Sequence, residues 1–140
     1  MNSFPIIKLH AIVRFREFPL GTIDDPSLRE FVAERPWPDQ DNVIYYLRSG
    51  YIYAIPIGGG ARDHLDPSQR ANPEIDGRMV AACTEMTDGE WYWPAALIYY
   101  VEKYNLRLPA EFVAHAAQHG WRVNKEAVPP AHYECSYFDQ

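Results

Sequence analysis

Several features that would assign a small protein at sight are scarce or missing in this sequence. Cysteine is nearly absent, with Cys83 and Cys135 alone, far apart and outside any CxxC. That spacing excludes a disulfide scaffold and a cysteine-rich metal site, and implies two reduced thiols, with Cys83 expected inside a buried strand. No apolar run approaches the roughly 18 residues a membrane-spanning helix needs. The opening stretch, MNSFPIIKLHAIVRF, is interrupted by Lys8, His10 and Arg14 and is followed by no small-residue cleavage site, so it does not read as a secretory signal. Basic residues are in deficit, 13 against 19 acidic ones, for a formal charge of −6. A phosphate backbone is bound by a basic face, so direct DNA or RNA binding is disfavoured. Repeats, low-complexity tracts and Gly/Ser linkers are also missing. The expectation is a cytoplasmic protein without membrane or nucleic-acid partners.

What is present is apolar and aromatic material: 47% hydrophobic and 14% aromatic residues in 140. That suffices for one core without disulfide or metal staples, so residues 1–140 are read as a single domain. From Ile7 to Phe15 the chain alternates. Ile7, Leu9, Ala11, Val13 and Phe15 share one face, and Lys8, His10 and Arg14 the other, as in a half-buried strand. Asp25-Pro26 is positioned to open a short helix carrying Leu28, Phe31 and Val32, with Asp25 as its cap. Asp41 is expected to cap a second helix to about Arg48, with Val43, Tyr46 and Leu47 inward and Gly50 as its stop. Tyr51–Ile57 reads as a strand, although the whole unit also fits two strands joined at Ser49-Gly50.

Arg62 to Gly77 is polar, broken by proline and long for a connection, and long loops often carry contacts. Met79–Glu85 reads as a buried strand. Thr87-Asp88-Gly89 marks a turn, and Glu90–Trp93 pairs back as the second arm of a hairpin. Period two places Trp91 and Trp93 on one face with Tyr92 opposite. Pro94 then opens a helix to about Tyr104, with Leu97, Tyr100, Val101 and Tyr104 inward and Tyr99 outward. Pro109 opens another that ends at Gly120, with Phe112, Val113 and Ala116 inward. The segment after Trp121 has no period. The fold class is α+β: one compact domain with a small, mainly antiparallel sheet, a β-hairpin and three to four short helices.

Motifs of chemistry are weak. Gly58-Gly59-Gly60 lacks the Gly-Lys-Ser/Thr of a phosphate loop and reads as a turn. Glu111, His115 and His119 recur every four residues on one helix face. The glutamate of a zinc-protease helix would stand between the two histidines, and His115-Ala-Ala-Gln-His119 has none. No nucleophile elbow supports a triad from Cys83, Cys135 or the histidines. The pairs Asp24-Asp25 and Asp63/Asp66 are better explained by turns before proline. No catalytic residue, metal ligand or cofactor site is therefore assigned.

Tyr46-Leu47-Arg48-Ser49-Gly50, Arg62-Asp63-His64-Leu65-Asp66-Pro67, Thr87-Asp88-Gly89-Glu90-Trp91-Tyr92-Trp93-Pro94, Tyr99-Tyr100-Val101 and Leu108-Pro109-Ala110-Glu111-Phe112 together resemble a family of small bacterial proteins encoded beside polymorphic toxins. The resemblance spans about two-thirds of the chain. It implies an immunity protein: a non-enzymatic inhibitor that binds a cognate toxin domain, expected to be basic, and occludes its active site. Electrostatic attraction would speed such an association and a few aromatics would hold it. The expected contact residues are Asp63, Asp66, Glu74 and Asp76 of the long loop, Asp88 and Glu90 of the hairpin, and the outward Tyr45 and Tyr99. Two other readings stay open: a small-molecule or regulatory domain with an aromatic pocket around Trp91 and Trp93, and an enzyme using the histidine-bearing helix.

The missing glutamate yields a first prediction. Protein purified without a His tag is expected to carry no stoichiometric zinc, and zinc that disappears on replacing His115 and His119 would refute the non-metal reading.

Overall fold

The computed structural model describes residues 6–18, 21–54, 60–61, 63–66, 81–82, 84–124, 126 and 132–135. Its centre is a five-stranded sheet in the order β2-β5-β6-β1-β7. The strands are β1 (Ile6–Ala11), β2 (Tyr51–Ala54), β5 (Glu85–Thr87), β6 (Trp91–Pro94) and β7 (His132–Cys135), and a separate ribbon joins β3 (Gly60–Ala61) to β4 (Ala81–Ala82). Among the described residues three α-helices accompany them: α1 (Gln40–Arg48), α2 (Ala95–Tyr104) and α3 (Ala110–Gln118). The class is α+β, as the sequence implies. The sheet is mixed, because β1 runs parallel to both β6 and β7 while β5 is antiparallel to β2 and β6.

Alternation describes β1 as far as Ala11, with Leu9 buried between exposed Lys8 and His10. Beyond it the strand ends, and Ile12 and Phe15, three apart, enter the core together. The hairpin forms as its turn signal requires, pairing Met86 with Trp93 and Thr87 with Tyr92. Gly89 supplies the positive backbone angle, φ 101°. Trp91 and Trp93 do share a face, since both rings meet Phe112. Trp93 is fully buried, and Tyr92 on the other face is buried too, so the strand is covered on both sides.

The helices begin differently from expectation. Asp25 caps nothing: its carboxylate accepts from the Thr22 N–H at 2.8 Å. The following helix is a single 3-10 turn, Leu28–Glu30, capped by Ser27 and Glu30 in a reciprocal box. Helix α1 starts before Asp41, at Gln40, whose side chain is buried. Its amide donates to the Val101 carbonyl and to Asn105 Oδ1, while its oxygen accepts from the Trp37 N–H. Gly50 follows α1, but its role is steric: a Cβ there would stand 2.5 Å from the Trp93 ring. The buried strand expected at 79–85 is interrupted into β4 and β5. The unperiodic tail contributes β7, an edge strand paired with β1. Cys83, Gly58, Gly59, Glu74 and Asp76 lie outside the described residues.

The core gathers Phe15, Leu28, Val43, Leu47, Leu97, Val101, Leu106 and Phe112 around Tyr46, Trp93 and Tyr100. Among the buried acids of the described residues, Glu85 is the one with an unpartnered oxygen. It is 8% exposed, and burial pushes its pKa up to about 7. The folded value lies above the ordinary 4.5, so the folded state holds a proton that the unfolded chain has lost between those two values. Stability should thus fall as pH rises from 4.5 to 7, by about 2–3 kcal/mol at most. Glu85→Gln is expected to flatten this dependence and to stabilise the protein at pH 8. Denaturation series at several pH values check it, and an unchanged slope in the variant would exclude Glu85 as the cause.

Candidate functional site

The acids expected to face a partner divide into two groups. Asp63 and Asp88 are structural. The Asp63 side chain is 0% exposed, and its Oδ1 accepts the N–H groups of Leu65 and Asp66 at 2.8 and 3.2 Å. Its Oδ2 accepts the hydroxyls of Tyr99 and Tyr104 at 2.7 and 2.6 Å, with Lys103 Nζ at 3.5 Å. Burial by itself would raise this carboxyl. The hydrogen bonds from Tyr104, Tyr99 and Leu65, with the Lys103 charge, outweigh burial and hold it below its ordinary value. Its stabilising effect is present near neutrality and is lost on acidification, the reverse of Glu85. Tyr99 is correspondingly half-buried and turned to Asp63 rather than outward, and burial together with that carboxylate raises its hydroxyl.

Asp88 repeats the device. Its Oδ1 accepts the N–H groups of Glu90 and Trp91, both within the hairpin turn, at 2.9 and 2.8 Å. Its Oδ2 accepts the Tyr46 hydroxyl at 2.6 Å and faces His115 Nε2 at 2.7 Å. An imidazole nitrogen against a carboxylate oxygen carries the hydrogen, so Nε2 is the donor. Burial, then the bond to Asp88, drives the Tyr46 hydroxyl far above its usual range. The Asp88 side chain is 3% exposed and that of His115 13%. Sequence reasoning placed Asp88 on the surface because it stands in a turn, and missed that Tyr46 and His115 converge on it from two helices. Of the two histidines spaced four apart, His115 meets the Asp88 carboxylate and His119 turns to the His115 carbonyl. Among the described residues no group of three His, Cys, Asp or Glu side chains could hold a metal ion.

The second group stays open to solvent. Glu90 has a side chain 66% exposed, 3.6 Å from His115 Nδ1. Tyr45 is 56% exposed on α1, and Tyr51 and Ile52 follow it on β2 at 44% and 50%. Tyr51 pairs with Thr87, immediately before the hairpin turn. Asp66 is half-buried beside Asp63. An open cleft of about 940 Å³ is lined by Tyr45, Arg48, Ser49, His119, Arg122 and Glu126, among others. Its wall is fixed by the Ser49 hydroxyl, which donates to the Tyr46 carbonyl and accepts the Val123 N–H at 2.8 Å. Neither Trp91 nor Trp93 lines that cleft. The Trp93 indole donates to the Leu47 carbonyl inside the core, and Trp91 packs on Phe112 and His115.

Removing the Asp88 carboxylate would strand a tyrosine hydroxyl, an imidazole N–H and two turn amides. Asp88→Ala is expected to cost about 3 kcal/mol or more in denaturant unfolding, against about 1–2 for Tyr46→Phe. A cost no larger than that of the exposed Glu90→Ala would show that the bridge does not hold the fold. Comparison with protein-family models, curated proteins and solved structures returned no match for this chain.

Proposed function

We propose that this protein is an inhibitor of the immunity type, which neutralises a cognate toxin domain by binding over its active site. The observation that carries the reading is a set of exposed side chains, Tyr45 on α1, Tyr51 and Ile52 on β2 and Glu90 after the hairpin turn. Tyrosines bury large area at low entropic cost, and exposed large apolar groups together with an exposed acid suit a protein interface. The excess of acidic residues supports steering toward a basic partner. The reading agrees with the family that the hairpin and helix-start motifs resemble. Asp63, Asp88 and Tyr99 are not offered as contacts, because their polar atoms are engaged inside the fold. Glu90 and Tyr45 remain, together with Glu74 and Asp76 of the long loop.

The test is association with the toxin domain encoded beside this gene, followed across a salt series. Tyr45→Ala is expected to speed dissociation. Glu90→Lys, and separately Glu74→Lys with Asp76→Lys, should slow association and weaken its salt dependence. Substitutions at the exposed Tyr45 and Glu90 are expected to change folding stability by about 0.5 kcal/mol or less, and a thermal unfolding curve for each variant separates lost binding from lost fold. Failure of the wild-type protein to bind or to protect against that toxin would end the immunity reading. Unchanged kinetics in all three variants would move the interface elsewhere.

A further inference from the structure

The cleft at the end of α1 and α3 brings two guanidinium groups to one opening. The chain as a whole carries −6, yet among the described residues the walls hold two arginines, Arg48 and Arg122, with the carboxylate of Glu126 and the imidazole of His119. Arg48 is paired with Glu102 across an exposed contact that leaves its side chain 59% accessible. Arg122 makes no ion pair or hydrogen bond among the described residues, and it is exposed. His119 directs Nδ1 at the His115 carbonyl, 2.8 Å away. A carbonyl can only accept, so Nδ1 carries the hydrogen, and in the neutral ring Nε2 is an acceptor. Tyr45 adds an exposed ring, and Ser49 and Asn124 add polar edges.

One effect opposes an anion here. The carbonyl ends of α1 and α3 border the cleft, and a helix C-terminus is electronegative. Those carbonyls are already bonded: the Ser49 N–H reaches Tyr45 and Tyr46, the Gly50 N–H reaches Leu47, and the N–H groups of His119, Gly120 and Trp121 close the last turn of α3. Their remaining field is weak beside two guanidinium charges, which pair with phosphate and carboxylate through forked hydrogen bonds. The cleft volume, about 940 Å³, lies within the range of small-molecule sites.

We propose that this cleft binds a small organic anion, with Arg122 and Arg48 receiving its oxyanion groups and Tyr45 covering a flat or apolar part. The ligand class is a molecule bearing several phosphate or carboxylate groups. This site does not depend on the toxin-binding reading, and it is tested on the protein alone.

Inorganic pyrophosphate and citrate serve as separate probes in calorimetric titrations at low salt, with wild-type protein and with Arg48→Gln/Arg122→Gln. Binding of pyrophosphate alone assigns a phosphate ligand, binding of citrate alone a polycarboxylate, and binding of both a shared oxyanion site. The double variant should bind about ten-fold more weakly or worse. Backbone amide shifts of the wild-type protein give a second readout that needs no variant, and the probe should move Ser49, Val123 and Asn124. If neither probe binds at millimolar concentration, the proposal fails. It also fails if the folded double variant binds as wild type does, or if the shifting amides lie elsewhere.

Discussion

Two buried carboxylates organise this protein by the same geometry. Asp88 and Asp63 each give one oxygen to the backbone of their own turn and the other to side chains from helices. A turn by itself is a weak element, since its backbone groups have no ladder to join. Tying its central carboxylate to tyrosine hydroxyls converts local chain reversal into tertiary attachment. For Asp88 the attachment reaches α1 through Tyr46 and α3 through His115, so the hairpin, both helices and the aromatic cluster around Phe112 share one register. For Asp63 the attachment fixes residues 63–66 on α2, where Tyr100 also receives the His64 N–H. Hydrogen bonds to a charged acceptor are stronger than neutral ones, and leaving such an acceptor buried without them would be costly.

The third buried acid behaves in the opposite way. Glu85 lies in β5 with one oxygen unpartnered, so burial acts without compensation and favours the protonated form. Hydrogen-bond donors decide the difference. Asp63 collects two hydroxyls and two backbone amides, and its charged form is stabilised in spite of burial. Comparable depth therefore yields opposite dependence on pH. The chain also spends its aromatic side chains unevenly. Trp93, Tyr46 and Tyr100 serve the interior, and Tyr45 and Tyr51 are left exposed, Tyr45 on the rim of an open cleft. The inhibitor reading rests on exposed apolar groups, and the anion site on the guanidinium groups of the cleft.

Local pattern determined a good deal. The Thr87-Asp88-Gly89 turn, the paired strands on either side, the inward face of α1, the helices after Pro94 and Pro109 and the α+β class all follow from short-range periodicity and punctuation. Each is a property of neighbouring residues, with side-chain direction set by a period of two or 3.6. Tertiary structure decided the rest. Parallel pairing of β1 with β6 and β7 joins segments far apart in the chain, and the weakly patterned tail became a strand only because an edge of β1 was available. The fate of each aspartate was equally invisible. A turn acid on the surface and a turn acid clamped under two tyrosines look identical in sequence, because the hydroxyls that bury Asp63 lie 36 and 41 residues away. Charge and turn propensity are written locally, whereas burial depends on which distant side chains the fold brings to meet them.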